Sequence, residues 1–218
     1  RLFVVPLFIA DGWFTEHVIP RALGLRGELD GDFARVQTRD GRLLHYCRAV
    51  GSHPAMTDVL LARASSVVAH HPFPRAPRRE QTALWIAGHG TAYSRGSREA
   101  LERQVELVRA LRRYAQVGAL FLEESPRISE CLDLTDTAIA NLVIVPFFVS
   151  DGLHTQEDIP IELGVPESVV RERLANGRST WRNPTECKGR RVWCASAVGT
   201  EPLVADVILQ RVREAAMA

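Results

Sequence analysis

The sequence contains two imperfect copies of one long pattern, and this internal repeat limits the possible folds more than any other feature. The segment VVPLFIADGWFTEHVIPRALG (4–24) aligns with IVPFFVSDGLHTQEDIPIELG (144–164), and half of the aligned positions from 5 to 24 are identical. A second block, 41–64, aligns with 189–212. Because the copies are far longer than the unit of a solenoid, they predict two structural units of one type rather than a stacked array.

The two copies differ in extent. The later copy is preceded by ALWIAGHGT, a helical stretch and GALFLEE, which have no counterpart ahead of the earlier copy. We therefore predict a partial lobe at 1–69, formed by the C-terminal half of the repeat, a linker at 70–82, and a complete lobe at 83–218. The linker is rich in Pro and Arg, which is typical of an exposed connection. The chain begins at Arg1 in an apolar run, so we expect a missing earlier part and no signal peptide.

Composition argues against several classes of function. The 27 basic and 26 acidic residues leave a formal charge of +1, which gives no electrostatic reason to expect a nucleic-acid or membrane partner. No apolar run approaches the length of a membrane-spanning helix. The four cysteines form no CxxC pair, which indicates free thiols and a cytoplasmic location. Neither GxGxxG nor the phosphate-loop motif is present, so a nucleotide cofactor is not expected.

The order of elements in the complete copy predicts an α/β fold. Continuous apolar runs at 83–88, 117–123 and 141–150 are typical of buried parallel strands. Apolar residues at spacings of three and four, with charges on the other face, predict an intervening helix over 97–115. Strand–helix alternation of this kind favours parallel sheets flanked by helices, in two similar lobes of which the first is partial. Further elements are expected as a helix at 128–140 and a strand at 190–196.

Side chains suited to catalysis follow the predicted strands of the complete copy. His89 in GHGT follows the first strand, Glu123 and Glu124 follow the second, and His154 in SDGLH follows the third. Ligands of parallel α/β sheets bind beyond the carboxyl ends of the strands, so these side chains could share one rim. Two imidazoles suit Co²⁺, Ni²⁺ or Fe²⁺, and a neutral imidazole accepts a proton near pH 7. A histidine that only caps a turn would give the same sequence signal.

The ordered set GHGT, a Glu-containing strand end, VPFFVSDGLHTQEDIP and AVGTEPLVADVIL resembles the class II chelatases of tetrapyrrole biosynthesis, of the sirohydrochlorin cobaltochelatase type. The resemblance covers 83–218 in full and 1–66 as a partial second copy. It implies a chelatase-like α/β fold and the ATP-independent insertion of Co²⁺, Ni²⁺ or Fe²⁺, as a substrate, into sirohydrochlorin or a related tetrapyrrole. The two histidines of the family correspond to His89 and His154, and its carboxylate to Glu123.

The resemblance also implies how the substrate is held. A large flat macrocycle needs a cleft, which two facing lobes can form, and its carboxylates are suited to bidentate contacts from Arg. Arg95, Arg98 and Arg127 lie in suitable loops, although ordinary surface charge explains them equally well. In single-lobe relatives a dimer supplies the second lobe, so a homo-oligomer is possible. The substrate-binding candidates are Thr91, Arg95, Glu124, Arg127, Gly152, Leu153, Gly199 and Thr200.

The partial copy lacks this chemistry. Phe14 stands at the position of His154, His17 falls at the position of Glu157, and GHG has no counterpart. We therefore expect one catalytic set, in the complete copy. Two alternatives stay open. One is a non-catalytic metal- or tetrapyrrole-binding protein on the same fold, which could be part of a larger multidomain protein, and the other is a relative with an unrelated small-molecule activity.

Overall fold

The protein forms two β-sheets, one for each copy of the repeat. The computed structural model describes residues 1–27, 32–90 and 95–217. Within these residues the first sheet has the strand order β1-β3-β2, and the second has the order β5-β4-β6-β8-β7. The strands are β1 (Leu2–Val4), β2 (Val36–Arg39), β3 (Arg42–Tyr46), β4 (Thr82–Gly88), β5 (Gln116–Phe121), β6 (Asn141–Pro146), β7 (Thr185–Cys187) and β8 (Arg190–Cys194).

Both sheets are parallel except at one edge. Strands β5, β4, β6 and β8 are mutually parallel, as predicted, but β7 pairs with β8 in the antiparallel sense, and β2 pairs with β3 likewise. The predicted parallel sheet is confirmed, and each sheet adds at one edge an antiparallel strand that the sequence analysis did not predict. The reason is a tight turn in each hairpin, at Asp40–Gly41 and Lys188–Gly189, where both residues have positive φ. An Asp-Gly pair between two strand-like runs is a hairpin signal that sequence reasoning overlooked.

Each copy also contains a short π-helix, which follows β1 in the first copy and β6 in the second and continues into one turn of α-helix. The helices are the first π-helix (Phe14–Val18), α1 (Ile19–Ala22), α2 (Met56–His70), α3 (Arg95–Ala110), α4 (Cys131–Leu134), the second π-helix (His154–Asp158), α5 (Ile159–Glu162), α6 (Glu167–Ala175) and α7 (Val204–Met217). Among the described residues, no helix is long and apolar enough to cross a bilayer.

The predicted helix over 128–140 is mostly absent. It is reduced to a 3₁₀ turn, Ile128–Glu130, followed by α4. The Thr135 hydroxyl explains where α4 ends, because it donates to the Cys131 carbonyl at 2.6 Å and accepts from the Trp85 indole at 2.9 Å. A side chain that bonds the backbone in this way competes with helix propagation, and the Thr135 backbone is extended.

The repeat extends to individual contacts. The Asp11 carboxylate accepts from the Ala49 amide at 2.8 Å, and Asp151 accepts from the Ala197 amide at the same distance. Gly51 and Gly199 pack equally closely on the backbone of the loop ahead of each π-helix, where a side chain would clash. The two copies are therefore the same structural half-unit, built twice.

The last helix of each copy packs against the other copy's sheet. Val59 and Leu60 of α2 lie in one buried cluster with Ile86 and Val145 of the second sheet. In the opposite direction, α7 packs against β3 of the first sheet. Because of this exchange, much of the apolar core lies between the two copies. The exchange also fixes the position of one sheet relative to the other.

Two pairs of mirrored hydrogen bonds secure the exchange. The His45 imidazole on β3 donates to the Ala215 carbonyl of α7 at 2.8 Å, and the Trp193 indole on β8 donates to the His71 carbonyl just after α2 at 2.9 Å. Arg63 of α2 donates to the Thr200 hydroxyl, and Arg211 of α7 donates to the Ser52 hydroxyl, both at 2.9 Å.

Candidate active site

Two imidazoles meet at the carboxyl ends of β4 and β6. His89 directly follows β4, and His154 is the first residue of the second π-helix. Their ring centroids are 4.7 Å apart and the rings are nearly perpendicular, with an interplanar angle of 85°. The Phe148 ring lies 5.7 Å from that of His154 and supports it from the strand side. The fold thus brings together the two histidines that the sequence singled out.

A carboxylate accompanies each imidazole. His154 Nδ1 lies 2.7 Å from Asp158 Oδ2, and because an ionised carboxylate only accepts, Nδ1 is the donor of this hydrogen bond. In the neutral ring, the lone pair is then on Nε2. His89 Nε2 lies 3.6 Å from Glu123 Oε1, within ion-pair range but longer than a hydrogen bond. Sequence reasoning proposed Glu123 and missed Asp158. The available signal was the i, i+4 spacing of His154 and Asp158 on a predicted helix.

A cavity of about 260 Å³ opens onto this pair. Arg127 contributes the only formal positive charge of its lining among the described residues, and it forms an ion pair with Glu162 at 3.2 Å. A larger cavity of about 480 Å³ lies on the other side of the second π-helix, against Thr155 and Gln156, and neither imidazole lines it. The lining of the smaller cavity is His89, Leu122, Glu123, Arg127, His154, Asp158, Ile161 and Glu162.

The site is open rather than a closed metal cage. Within 1–27, 32–90 and 95–217, no three His, Cys, Asp or Glu side chains are arranged to hold an ion. A structural metal site usually surrounds its ion with four ligands, whereas this site offers two imidazoles with one carboxylate beside each.

Glu124 supports the loop that carries His89. Its carboxylate pairs with Arg98 at 3.0 Å, and that hydrogen bond raises the pKa of the Arg98 guanidinium. The guanidinium also lies 4.1 Å from the centre of the Phe121 ring. At Gly90, which has a φ of +62°, a Cβ atom would come within 2.7 Å of the Glu124 side chain. This packing holds the backbone next to His89 in place. It also keeps the Glu124 side chain out of the cavity lining.

The other substrate-binding candidates divide by position. Leu153 is 72% exposed beside His154. Arg95 is exposed at the start of α3, and the cavity lining formed by described residues does not include it. Gly199 and Thr200 lie against the Asp151 loop of the same copy. The Thr200 hydroxyl also accepts from Arg63, and this contact joins the two copies. Thr91 lies outside the described residues, and Gly152 donates its amide to the Thr155 hydroxyl at 2.9 Å.

The cysteines take no part in the site. All four are free thiols, as the sequence predicted. Burial raises the pKa of Cys131 and of Cys194 to about 12, so both remain protonated near neutral pH. A protonated thiol is a poor metal ligand and a poor nucleophile.

The partial copy keeps the site's scaffold without its imidazoles. Phe8 and Phe14 stack with ring centroids 6.1 Å apart, at the positions where Phe148 and His154 meet in the complete copy. Trp13 stacks on His17 at 4.4 Å. The arrangement of rings is retained, while Phe14 lacks the imidazole nitrogens of His154.

Comparison with known proteins identifies the family. A profile of the CbiX family matches residues 1–67 and 83–215, which together form most of the chain. The chain belongs to the CbiX family. The two matched segments correspond to the two copies of the repeat in this CbiX-family chain.

Named relatives agree with this assignment. The chain is 37% identical, over 99% of its length and 72% of the relative's, to a probable sirohydrochlorin cobaltochelatase of Halobacterium salinarum. It is 27% identical to the sirohydrochlorin cobaltochelatase of Methanopyrus kandleri, covering 61% of this chain and 96% of that protein. The second relative thus has the size of the complete copy alone.

Solved structures confirm the chelatase fold. A multi-domain protein of Deinococcus radiodurans, described as similar to chelatases with two additional novel domains, superposes with a TM-score of 0.70 and 26% identity. That match covers 96% of this chain but spans only 40% of that protein. CbiX, described as the terminal enzyme of siroheme biosynthesis in denitrifying bacteria, superposes with a TM-score of 0.65 and 23% identity, over 98% of this chain and 75% of the other.

Proposed function

We propose that this chain inserts a divalent metal ion into sirohydrochlorin or a closely related tetrapyrrole, without a nucleotide. The observation that carries the proposal is the pair of imidazoles, 4.7 Å apart at the mouth of the cavity, with one carboxylate beside each. The names of the relatives support the same reaction. The metal ion is a substrate, and Co²⁺ is the first choice because the two named relatives are cobaltochelatases, with Ni²⁺ and Fe²⁺ sharing its ligand preferences.

The reaction requires that the macrocycle lose two pyrrole N–H protons as it receives a dication. We assign binding of the ion to His154, because its Nε2 is free while Asp158 holds Nδ1 and orients the ring. His89 accepts one proton, and Glu123, 3.6 Å away, stabilises the resulting imidazolium. The second proton leaves through Glu123 or solvent. Holding the ion and the ring in register provides the proximity effect that speeds insertion.

The macrocycle extends beyond the small cavity that the imidazoles line. A volume of about 260 Å³ holds the ion and one edge of a large ring, so the rest must lie outside it. We propose that Arg127 gives up its ion pair with Glu162 and binds a carboxylate of the substrate instead. Gly152 and Leu153 then border the ring beside His154, and Arg95 and Thr91 stay substrate-binding candidates from the sequence.

The chemistry belongs to the complete copy. We propose that 83–218 forms the catalytic lobe, that 70–82 connects it to the first lobe, and that 1–69 covers the substrate and supplies α2 to the shared core. Free, buried thiols are compatible with a cytoplasmic protein.

The decisive experiment measures metal insertion by the change in macrocycle absorbance when protein, Co²⁺ and sirohydrochlorin are mixed. The wild-type chain should exceed the uncatalysed rate of insertion. In His89→Ala, the rate above the uncatalysed one should fall about 100-fold or more. His70→Ala, an exposed histidine at the end of α2, is the matched control and should keep the full rate. A full rate in His89→Ala would defeat the proposal. Tight binding of the macrocycle with no turnover would instead favour the non-catalytic alternative.

A further inference from the structure

A separate cavity of about 210 Å³ lies in the first copy, between the end of β3, the start of β2 and the last turns of α7. Its lining shares no residue with the cavity at the imidazole pair. The volume is below the roughly 300–1,000 Å³ of pockets that hold drug-sized ligands, so it suits a smaller molecule.

The complete copy has a cavity at the equivalent place, with a different lining. The repeat places Arg48 where the complete copy has Ser196, and Arg35 where it has Asn183. Each of these four residues lines the cavity of its own copy, which in the complete copy is the one of about 480 Å³. The scaffold therefore forms a cavity here twice, and the two arginines at these positions are a feature of the first copy's sequence alone.

The charges around the smaller cavity leave one cation available. Arg35 binds both carboxylate oxygens of Glu16, at 2.7 and 2.9 Å, and the nearly buried Arg211 donates to Glu214 at 2.9 Å. Arg48 is exposed, and within 1–27, 32–90 and 95–217 its guanidinium has no hydrogen-bond or ion-pair partner. A ligand with one negative charge fits this balance, because a carboxylate forms charge-assisted hydrogen bonds with Arg.

The lining also contains an imidazole with an unpartnered nitrogen. His45 is 4% exposed, its ring stacks on Phe3 with centroids 4.7 Å apart, and its Nδ1 donates to the Ala215 carbonyl at 2.8 Å. Its Nε2 is buried and has no hydrogen-bond partner among the residues that the structure describes. A buried polar atom without a partner costs free energy, and a ligand that bonds it recovers that cost. An anion beside Nε2 favours the protonated ring, which donates from both nitrogens.

The rest of the lining offers uncharged surface. Val36 and Ala215 contribute aliphatic groups. Burial raises the pKa of the Cys47 thiol above its ordinary value, so this side chain stays protonated and behaves as a small apolar group. Such surface suits an apolar body attached to the anionic group.

We propose that this cavity binds a small organic carboxylate, whose charged group pairs with Arg48 and the protonated His45 and whose apolar body lies against Val36 and Cys47. The inference does not rest on the proposed metal insertion, because no residue of the imidazole site takes part in it. Each of the two proposals can therefore fail without the other.

The test uses benzoate as the probe and measures its binding by isothermal titration calorimetry at neutral pH. Arg48→Ala should weaken binding about tenfold or more, because it removes the available cation. Arg213→Ala removes an exposed arginine of α7 that does not line the cavity, and this matched control should stay within about twofold. Benzyl alcohol, which has a similar apolar body without the charge, should bind at least about tenfold more weakly than benzoate.

A pH series tests the role of His45. Benzoate should bind several-fold more tightly at about pH 6 than at about pH 8, because its binding takes up a proton at the imidazole. His45→Phe keeps a ring that can stack on Phe3, and it should bind benzoate more weakly and without this pH dependence. Circular dichroism verifies that the variant folds, and Arg48→Ala, at an exposed position, tests the site independently of it.

The other ionisable groups around the cavity keep their charge over this range. Burial acts to raise the pKa of Glu214, but the hydrogen bond from Arg211 outweighs it and the pKa lies below its ordinary value. Burial raises the pKa of Tyr46 to about 12. His53, 3.0 Å from Glu214, is retained in His45→Phe, so any pH dependence that it causes would persist there. The remaining facing groups are the guanidiniums of Arg35, Arg48 and Arg211 and the thiol of Cys47.

Four results would overturn the inference. They are no binding of benzoate by the wild-type chain, equal affinity for benzyl alcohol, unchanged binding in Arg48→Ala, and an equal loss in Arg213→Ala. A pH dependence that persists in His45→Phe would remove His45 from the site.

Discussion

The two copies of the repeat share a scaffold and differ in chemistry. Both place an Asp carboxylate on a backbone amide, both pack a Gly on the loop ahead of a π-helix, and both send their last helix to the other sheet. The difference lies at one position, where Phe14 replaces His154, and in the strand β4 with its following His89, which has no counterpart in the first copy. The comparison shows that backbone packing maintains the structure of this half-unit even in the copy that lacks the two imidazoles.

The largest effect should come from making the second π-helix resemble the first. His154→Phe removes the nitrogen that we assign to the ion, and it should lower the rate of Co²⁺ insertion by about 100-fold or more. The reciprocal change, Phe14→His, should give no gain, because no histidine equivalent to His89 accompanies it in this chain. Initial rates with sirohydrochlorin measure both variants. A loss below tenfold, or a gain in Phe14→His, would break the contrast between the copies.

A second prediction tests how closely the scaffolds match. A Cβ at Gly51 would lie 2.1 Å from the Ile9 carbonyl oxygen, and one at Gly199 would lie 2.0 Å from that of Val149. Gly51→Ala and Gly199→Ala should therefore each lower the free energy of unfolding by about 3 kcal/mol, measured by urea denaturation. In the control variant Gly27→Ala, the added methyl meets no atom within 4 Å, so its effect should stay within about 0.5 kcal/mol. Clearly unequal losses in the first two would show that the copies differ in rigidity.

The smallest expected effect concerns the two mirrored arginines. Arg211 is nearly buried and donates to the Ala49 carbonyl as well as to Ser52 and Glu214, whereas Arg63 donates to Thr200 and pairs with Glu201 at 3.4 Å. Arg211→Met should cost about 2 kcal/mol of unfolding free energy, because it leaves a buried carbonyl unpaired, and Arg63→Met about 1 kcal/mol. Urea denaturation of the two variants gives the comparison directly. Equal costs would mean that the additional contacts of Arg211 contribute nothing.

Much of the second lobe could be predicted from the sequence, because its signals are local. The apolar runs of β4, β5 and β6 are continuous, and the charged face of α3 is periodic, so each element follows from its own residues. The edge strands were not predicted because β7 and β2 are short and mostly polar, and only their turns identify them. The region after Ile128 was misassigned because its helix ends at a hydroxyl that bonds across the fold to Trp85.

The candidate site was predicted in part for the same reason. His89 and His154 follow recognisable strands, and parallel strands end at one edge of a sheet. Asp158 was missed, since its role depends on a π-helix that places it against His154. Gly199 and Thr200 were expected at the substrate because they follow a strand, and this stays a prediction. The Thr200 hydroxyl also accepts from Arg63 of the other copy, a contact that the local sequence does not reveal.

By itself, the sequence determined that this chain contains one structural unit in two copies, that the complete copy carries the imidazoles, and that it belongs with the chelatases of the CbiX family. These features follow from local periodicity and from the order of motifs, which are properties of neighbouring residues. Only the tertiary structure decided that the imidazoles meet, that Asp158 orients one of them, and that α2 and α7 are exchanged between the sheets. Such contacts join residues far apart in the chain, and they are selected by the burial of apolar surface in a core that both copies share.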